Sequence, residues 1–240
     1  NSYKTSESYC RLLIRGLKMN KKLITIGLII LGFSLIFRIV AALGKNLKID
    51  EFHKASIVFI LDSSASNQAS LPAQIQYIKS LCAILDPEDS IKILKVSDSS
   101  YLIYEGTPGD NKGITKAISE FTKNESADNG TAYAQAIKKA VEHSLTMKKE
   151  GYLPSIVVVG DLSDEGDTKK LINWDVLPKN IEKTKQYAPD LAMMFVYAPP
   201  EKLDLVKTKL NPVLGEKKLI IANSVNTDKA NSRFLKAIGR

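Results

Sequence analysis

Ile57-Val58-Phe59-Ile60-Leu61, followed at once by Asp62-Ser63-Ser64-Ala65-Ser66, decides the fold. The first five residues are apolar without alternation, too short a run for a helix and the right length for a strand buried on both faces of a parallel sheet. The polar stretch then falls at that strand's carboxyl end. In open α/β sheets this is the edge beyond which ligands bind.

Strand-like and helix-like patterns alternate from Ala55 onward. Pro72 lies early in a helical pattern that carries Ile75, Ile78, Leu81, Cys82 and Leu85 on one face and ends at Asp86-Pro87. Residues 91–96 and 102–104 read as strands. The five residues between them are too few for a parallel crossover, so the two form a hairpin and one edge strand runs antiparallel. Helices are expected over 114–121, from Thr131 onward, and over 179–187, 201–210 and 228–238, with strands over 155–159, 191–197 and 219–222. Six strands with helices between them predict an α/β fold: one doubly wound domain over residues 55–240, its sheet mostly parallel, with helices on both faces. Phe234, Leu235 and Ile238 in the last helix read as core packing.

The formal charge of +8 does not belong to this domain. Residues 1–48 hold nine of the 34 basic residues and one of the 26 acidic ones, so the remaining 25 of each sign cancel. The domain therefore carries no net phosphate-binding footprint, which argues against nucleic acid as a partner. Cys10 and Cys82 lie on opposite sides of an apolar segment, which excludes a disulfide framework, and Cys82 reads as a buried inert thiol. With only His53 and His143 in addition, a Cys/His zinc site has too few ligands.

The apolar segment runs from Leu23 to Leu43, interrupted by Arg38 alone. Its length suits an N-terminal helix that spans a bilayer, with Arg38 near one end, where its stem reaches the headgroups. Arg11, Arg15, Lys18, Lys21 and Lys22 precede the run, against Lys45 and Lys48 after it, which places the N-terminus in the cytoplasm and the domain outside, periplasmic or extracellular. The expected organisation is a basic segment over 1–22, a signal-anchor helix over 23–43, a linker over 44–54 and the domain over 55–240. Val40-Ala41-Ala42 also offers a cleavage site, and a secreted product is the alternative. Met19-Asn20-Lys21-Lys22 looks like a bacterial start, so residues 1–18 read as an upstream extension.

Three loops carry the chemistry. In an extended loop alternate side chains point the same way, so Asp62, Ser64 and Ser66 converge while Ser63 and Ala65 point aside. Thr131, after Gly130, stands at the start of a helical pattern, and Asp161, after Gly160, ends the 155–159 strand. Each alone is equally a turn or capping residue. Together they offer two carboxylates and three hydroxyls, an all-oxygen set suited to a hard cation, Mg²⁺ or Mn²⁺, that retains waters. So few charges leave the cation electrophilic toward an anionic oxygen.

Asp62, Ser64, Ser66, Thr131 and Asp161 resemble, in order, the metal-ion-dependent adhesion site of the von Willebrand factor A (vWA) domain family. That site uses DxSxS after the first strand, a Thr in a later loop and an Asp after the fourth strand. The resemblance covers nearly all of residues 55–240, and the family's antiparallel edge strand matches the hairpin above. It implies a sheet of order 3-2-1-4-5-6 with the metal at its top. Ser64 and Ser66 would bind directly, and Asp62, Thr131 and Asp161 directly or through water. Ala65 stands where many members have Gly, and Leu162 follows Asp161 where many have Gly, which bears on the loop's path; Asp164 is an alternative acid.

The function expected is that of a membrane-tethered, non-enzymatic domain whose bound Mg²⁺ or Mn²⁺ takes an Asp or Glu of a protein partner into its shell. A metal-dependent hydrolase is disfavoured because no His lies near the motifs and Ser64 and Ser66 lack a visible base. A subunit of an ATPase-linked assembly or surface complex is the further alternative, and topology separates it, since an exported domain does not meet a cytoplasmic ATPase. A reporter fused to the C-terminus is expected to be active outside the cytoplasm; activity inside would refute the orientation.

Overall fold

The computed structural model describes residues 53–123, 132–163, 171–223 and 226–240. The expected signal-anchor helix over 23–43, together with Thr131 and Asp164, lies outside the described residues. Among the described residues no helix is long and apolar enough to cross a membrane.

Strand β1 (Ala55–Asp62) is buried along its whole length. It pairs in parallel with β2 (Ser90–Val96) on one side and β4 (Leu153–Val159) on the other. β3 (Ser100–Gly106) lies antiparallel on the outer edge of β2, and β5 (Ala192–Val196) and β6 (Leu219–Ala222) continue the sheet in parallel beyond β4. The order is β3-β2-β1-β4-β5-β6, with the antiparallel strand at the expected edge. Six α-helices complete the described domain: α1 (Leu71–Cys82), α2 (Asn111–Lys123), α3 (Tyr133–Lys149), α4 (Leu177–Lys185), α5 (Pro200–Leu214) and α6 (Thr227–Ala237).

Alternation along β1 divides the core in two. Ala55, Ile57, Phe59 and Leu61 join an apolar cluster with residues of α1, α2 and α6. Val58 and Ile60 join the other cluster, with α3, α4 and α5. Burying each such large side chain contributes about 1.5–3 kcal/mol, and only a strand covered on both faces collects this from every residue. The apolar run therefore takes the central position, and its first polar side chain beyond the core, Asp62, emerges where β2 and β4 also end.

Two helices end differently from their sequence patterns. α1 stops at Cys82, and the chain turns through 83–85 while still burying Leu85. α5 continues through Pro212 to Leu214, four residues beyond the expected end. Pro212 sits in the last turn, where it leaves the Thr208 carbonyl without a helical donor and crowds it, a cost confined to one turn. Burial of Leu214 and the cap at Gly215, with φ of 77° and its N–H bonded to the Asn211 carbonyl at 2.8 Å, close the helix. Cys82 is buried as expected, and burial pushes its thiol up to about 12.

At the opposite edge from Asp62, the fully buried Asp89 accepts the backbone N–H of Ala55 at 2.7 Å, the N–H of Asp86 at 3.0 Å, and the guanidinium of Arg240. It joins the start of β1 to the segment after α6. Removing one partner of a buried pair leaves the other charge uncompensated. Arg240→Ala is expected to destabilise the domain by about 3 kcal/mol in urea unfolding at neutral pH. Burial already raises the Asp89 pKa, so the folded chain takes up its proton more readily than the unfolded chain, and the loss shrinks as the pH falls and Asp89 becomes neutral.

Candidate metal centre

The loop after β1 does not continue extended but enters a single 3-10 turn, Ala65–Asn67, and this turn, rather than strand-like alternation, brings Ser66 beside Ser64. The Asp62 carboxylate folds back so that Oδ1 accepts the Ser64 backbone N–H at 2.9 Å. Ser63 turns aside, its hydroxyl donating to the Val96 carbonyl at 3.0 Å. Ser64 Oγ lies 3.2 Å from Ser66 Oγ, and Ser66 Oγ donates to Asp161 Oδ2 at 3.1 Å. The structure thus brings Asp62, Ser64, Ser66 and Asp161 into one cluster.

These spacings test whether a cation fits. A small hard cation in octahedral geometry, with bonds of about 2.1 Å, needs neighbouring oxygens about 3 Å apart. Ser64 Oγ, Ser66 Oγ and Asp161 Oδ2 already stand at that spacing, held by hydrogen bonds that a cation would replace. Among the described residues no three His, Cys, Asp or Glu side chains gather to hold a metal.

Two constraints form the Asp161 side. Gly160 is indispensable: a Cβ there would stand 2.2 Å from the Tyr133 hydroxyl and 2.4 Å from Asp62 Cβ. Leu162 adopts φ of 54°, the left-handed region that glycine enters freely. This is the position where the resemblance anticipated Gly. The backbone costs about 1–2 kcal/mol for an L-residue, and burying the leucine side chain, 2% exposed, contributes a comparable amount in return. Packing thus holds a backbone conformation that glycine would enter freely.

Sequence reasoning missed three further residues. Tyr133, fully buried at the start of α3, donates its hydroxyl to Asp62 Oδ2 at 2.7 Å and accepts the Leu162 N–H at 3.3 Å. Burial, then the neighbouring Asp62, holds its phenol well above the usual range, so the hydroxyl keeps its proton. Asn67 and Gln74 form a buried reciprocal amide pair: Asn67 Nδ2 donates to Gln74 Oε1 at 2.9 Å and to the Asp62 carbonyl at 2.8 Å, and Gln74 Nε2 donates to Asn67 Oδ1 at 2.7 Å. An unpaired polar group here would cost about 1–3 kcal/mol, so the pair specifies the turn as well as supporting it. The available signal was that Asn67 and Gln74 lie seven residues apart across the helix start, and Tyr133 directly after Thr131-Ala132.

Comparison with known proteins follows this geometry. Residues 57–164 match the sequence model of the von Willebrand factor type A domain. No curated protein sequence matches the chain significantly. Among solved structures, manganese-loaded TRAP protein of Plasmodium vivax superposes with a TM-score of 0.56 at 13% identity, over 78% of this chain and 74% of that one. The conserved hypothetical protein BatB of Bacteroides thetaiotaomicron does so at 0.53 and 15%, over 76% and 98%. Proximal thread matrix protein 1 of the mussel byssus does so at 0.51 and 14%, over 77% and 48%, and has also been solved with zinc in its MIDAS motif. The chain thus spans about half the length of that byssus protein. The match spans residues 57–164, and the superpositions show that the fold is vWA-like.

Burial pushes the Asp62 carboxyl up to about 7, against about 3.9 for an unperturbed Asp. A raised acid pKa means that the folded chain holds the proton more tightly than the unfolded one. The stability this brings is full below about pH 4 and is lost as the pH rises toward 7. In EDTA, urea unfolding midpoints are expected to fall across this window, and Asp62→Asn to flatten the fall; an unchanged profile in the variant would assign the titration elsewhere.

Proposed function

We propose that this domain binds a protein partner through a Mg²⁺ or Mn²⁺ ion held by Ser64, Ser66, Asp62 and Asp161, with Thr131 completing the set, and that a partner Asp or Glu enters the ion's open position. The observation that carries this reading is the chain of three oxygens from Ser64 through Ser66 to Asp161 at 3.2 and 3.1 Å. The metal-occupied sites of the vWA-like structures, manganese in one and zinc in another, support it by analogy of fold. The ion would supply electrophilic charge. The protein's own part is to hold hydroxyl and carboxylate oxygens in place, exclude water beneath them by burying Asp62, and leave Ser66 exposed at the mouth.

We place the domain outside the cytoplasm, tethered by the apolar segment over 23–43, and we assign it no enzymatic activity. One serine–histidine pair among the described residues is not arranged for nucleophilic catalysis. Ser56 Oγ lies 3.4 Å from His143 Nε2, but Lys92 Nζ sits 3.2 Å from His143 Nδ1. An ammonium only donates, so Nδ1 accepts and Nε2 carries the proton, the wrong tautomer to activate Ser56 as a nucleophile. The pair also lies near the start of β1, at the far end of the strand from Asp62.

Partner capture from a surface extract, followed by titration of the captured protein, tests the reading. Binding is expected to be lost in EDTA, restored by Mn²⁺ or Mg²⁺, and weakened at least tenfold by Asp62→Ala, in keeping with a charge-assisted contact. Binding indifferent to both treatments would refute it.

A further inference from the structure

We propose that Tyr133 is a positioning residue for the metal centre, its hydroxyl tying the Asp62 loop to the Asp161 loop and fixing the spacing of their oxygens. The proposal rests on the metal-binding reading above and assigns a role to a residue outside the ligand set. One oxygen atom makes both contacts, donating to Asp62 Oδ2 at 2.7 Å and accepting from Leu162 N–H at 3.3 Å. Asp62 ends β1, and Leu162 lies three residues beyond the end of β4, directly after Asp161. The hydroxyl is therefore the point at which α3 fastens two adjacent strand ends together.

The ring alone does not account for this arrangement. Tyr133 packs in the apolar cluster with Ile137 and Leu162, where a phenylalanine would pack as well. The hydroxyl fits there only because residue 160 is glycine, whose missing Cβ would stand 2.2 Å from it. The contact also falls on Leu162, whose left-handed backbone has no intrinsic preference to persist. Strained backbone at a site persists where its surroundings over-determine it, and the hydroxyl is one of those surroundings. Without it the Asp161 loop loses a tie on its inner side, and the 3.1 Å approach of Asp161 to Ser66 is less tightly set.

The consequence differs between cations. A small ion such as Mn²⁺ or Mg²⁺ demands near-ideal octahedral spacing, whereas Ca²⁺ accepts longer and more variable bonds. Groups that orient ligands without touching the metal typically change affinity 10–100-fold. Loosening the clamp should therefore weaken Mn²⁺ more than Ca²⁺.

The test uses the full chain and Tyr133→Phe in two measurements. Amide exchange in EDTA reads the clamp without metal, and faster exchange is expected at 160–163 in the variant with the β1 core unchanged. Calorimetric titration reads the centre, and Mn²⁺ affinity is expected to fall about tenfold or more, with the Mn²⁺/Ca²⁺ affinity ratio shifting toward Ca²⁺. If Tyr133→Phe alone does not fold, Asp62→Ala is compared with Asp62→Ala/Tyr133→Phe, which removes the buried acceptor together with the donor. Unchanged exchange at 160–163 in either comparison overturns the clamp. Faster exchange with unchanged Mn²⁺ affinity and cation ratio overturns the positioning role. Faster exchange in the variant, with a wild-type chain that binds no Mn²⁺, overturns the metal-binding reading, and the positioning role with it, while leaving the clamp standing.

Discussion

A carboxylate placed at the end of a strand that is buried on both faces is the constraint on which this structure turns. Asp62 is wholly inaccessible, and its ionised form is costly there unless donors or a cation attend it. The chain provides a donor for each oxygen, the Ser64 N–H for Oδ1 and the Tyr133 hydroxyl for Oδ2. Even so, desolvation outweighs these bonds and keeps the proton affinity high. The cation proposed beside Ser64, Ser66 and Asp161 would favour the ionised carboxylate and release that proton.

The sheet order explains why the site is focused at one place. Successive connections lead from β1 to β2 on one side and on to β4 on the other, so the crevice beyond β1 opens where the winding reverses. The helices on the two faces diverge at this point. α1 follows the DxSxS turn on one face, while α3 begins with Tyr133 on the other. The site is thus assembled from both layers, which gives it second-layer support from the Asn67–Gln74 amides on one side and the Tyr133 hydroxyl on the other.

Much of this was legible in the sequence because it depends on period and position. The unbroken apolar run of β1 and the short link that forces β3 to be antiparallel are local rules, and each appears in the structure. The approach of Ser64 to Ser66 appears too, through a 3-10 turn rather than alternation. What escaped depends on contacts made across the fold. No local pattern singles out Tyr133, and only the sheet places Asp62 against its hydroxyl, 71 residues away. Nothing local marks Asn67 and Gln74 as a pair, although both are buried. Leu162 stands where the resemblance anticipated glycine, and its backbone is left-handed, with burial of its side chain offsetting what that conformation costs an L-residue. The continuation of α5 through Pro212 was hidden for the same reason, since burial of Leu214 outweighs a local stop signal.

The last helix shows how firmly the opposite edge is held. Phe234 and Ile238 are buried in the cluster shared with α1, as their spacing implied, and polar ties are added along the helix. Tyr77 on α1 donates to Asn231 at 2.7 Å, Lys218 donates to the Ala237 carbonyl at 2.7 Å, and Arg240 meets the buried Asp89. A sliding of α6 along its axis would have to break these ties together and draw two large side chains out of the core. A single additional ligand at the Asp62 edge carries typically 1–3 kcal/mol of coupling, the scale of one such buried tie and less than all of them combined. Occupancy of the metal centre is therefore expected to be felt first in the loops that Tyr133 joins. The helix itself is held to α1, β5 and β6.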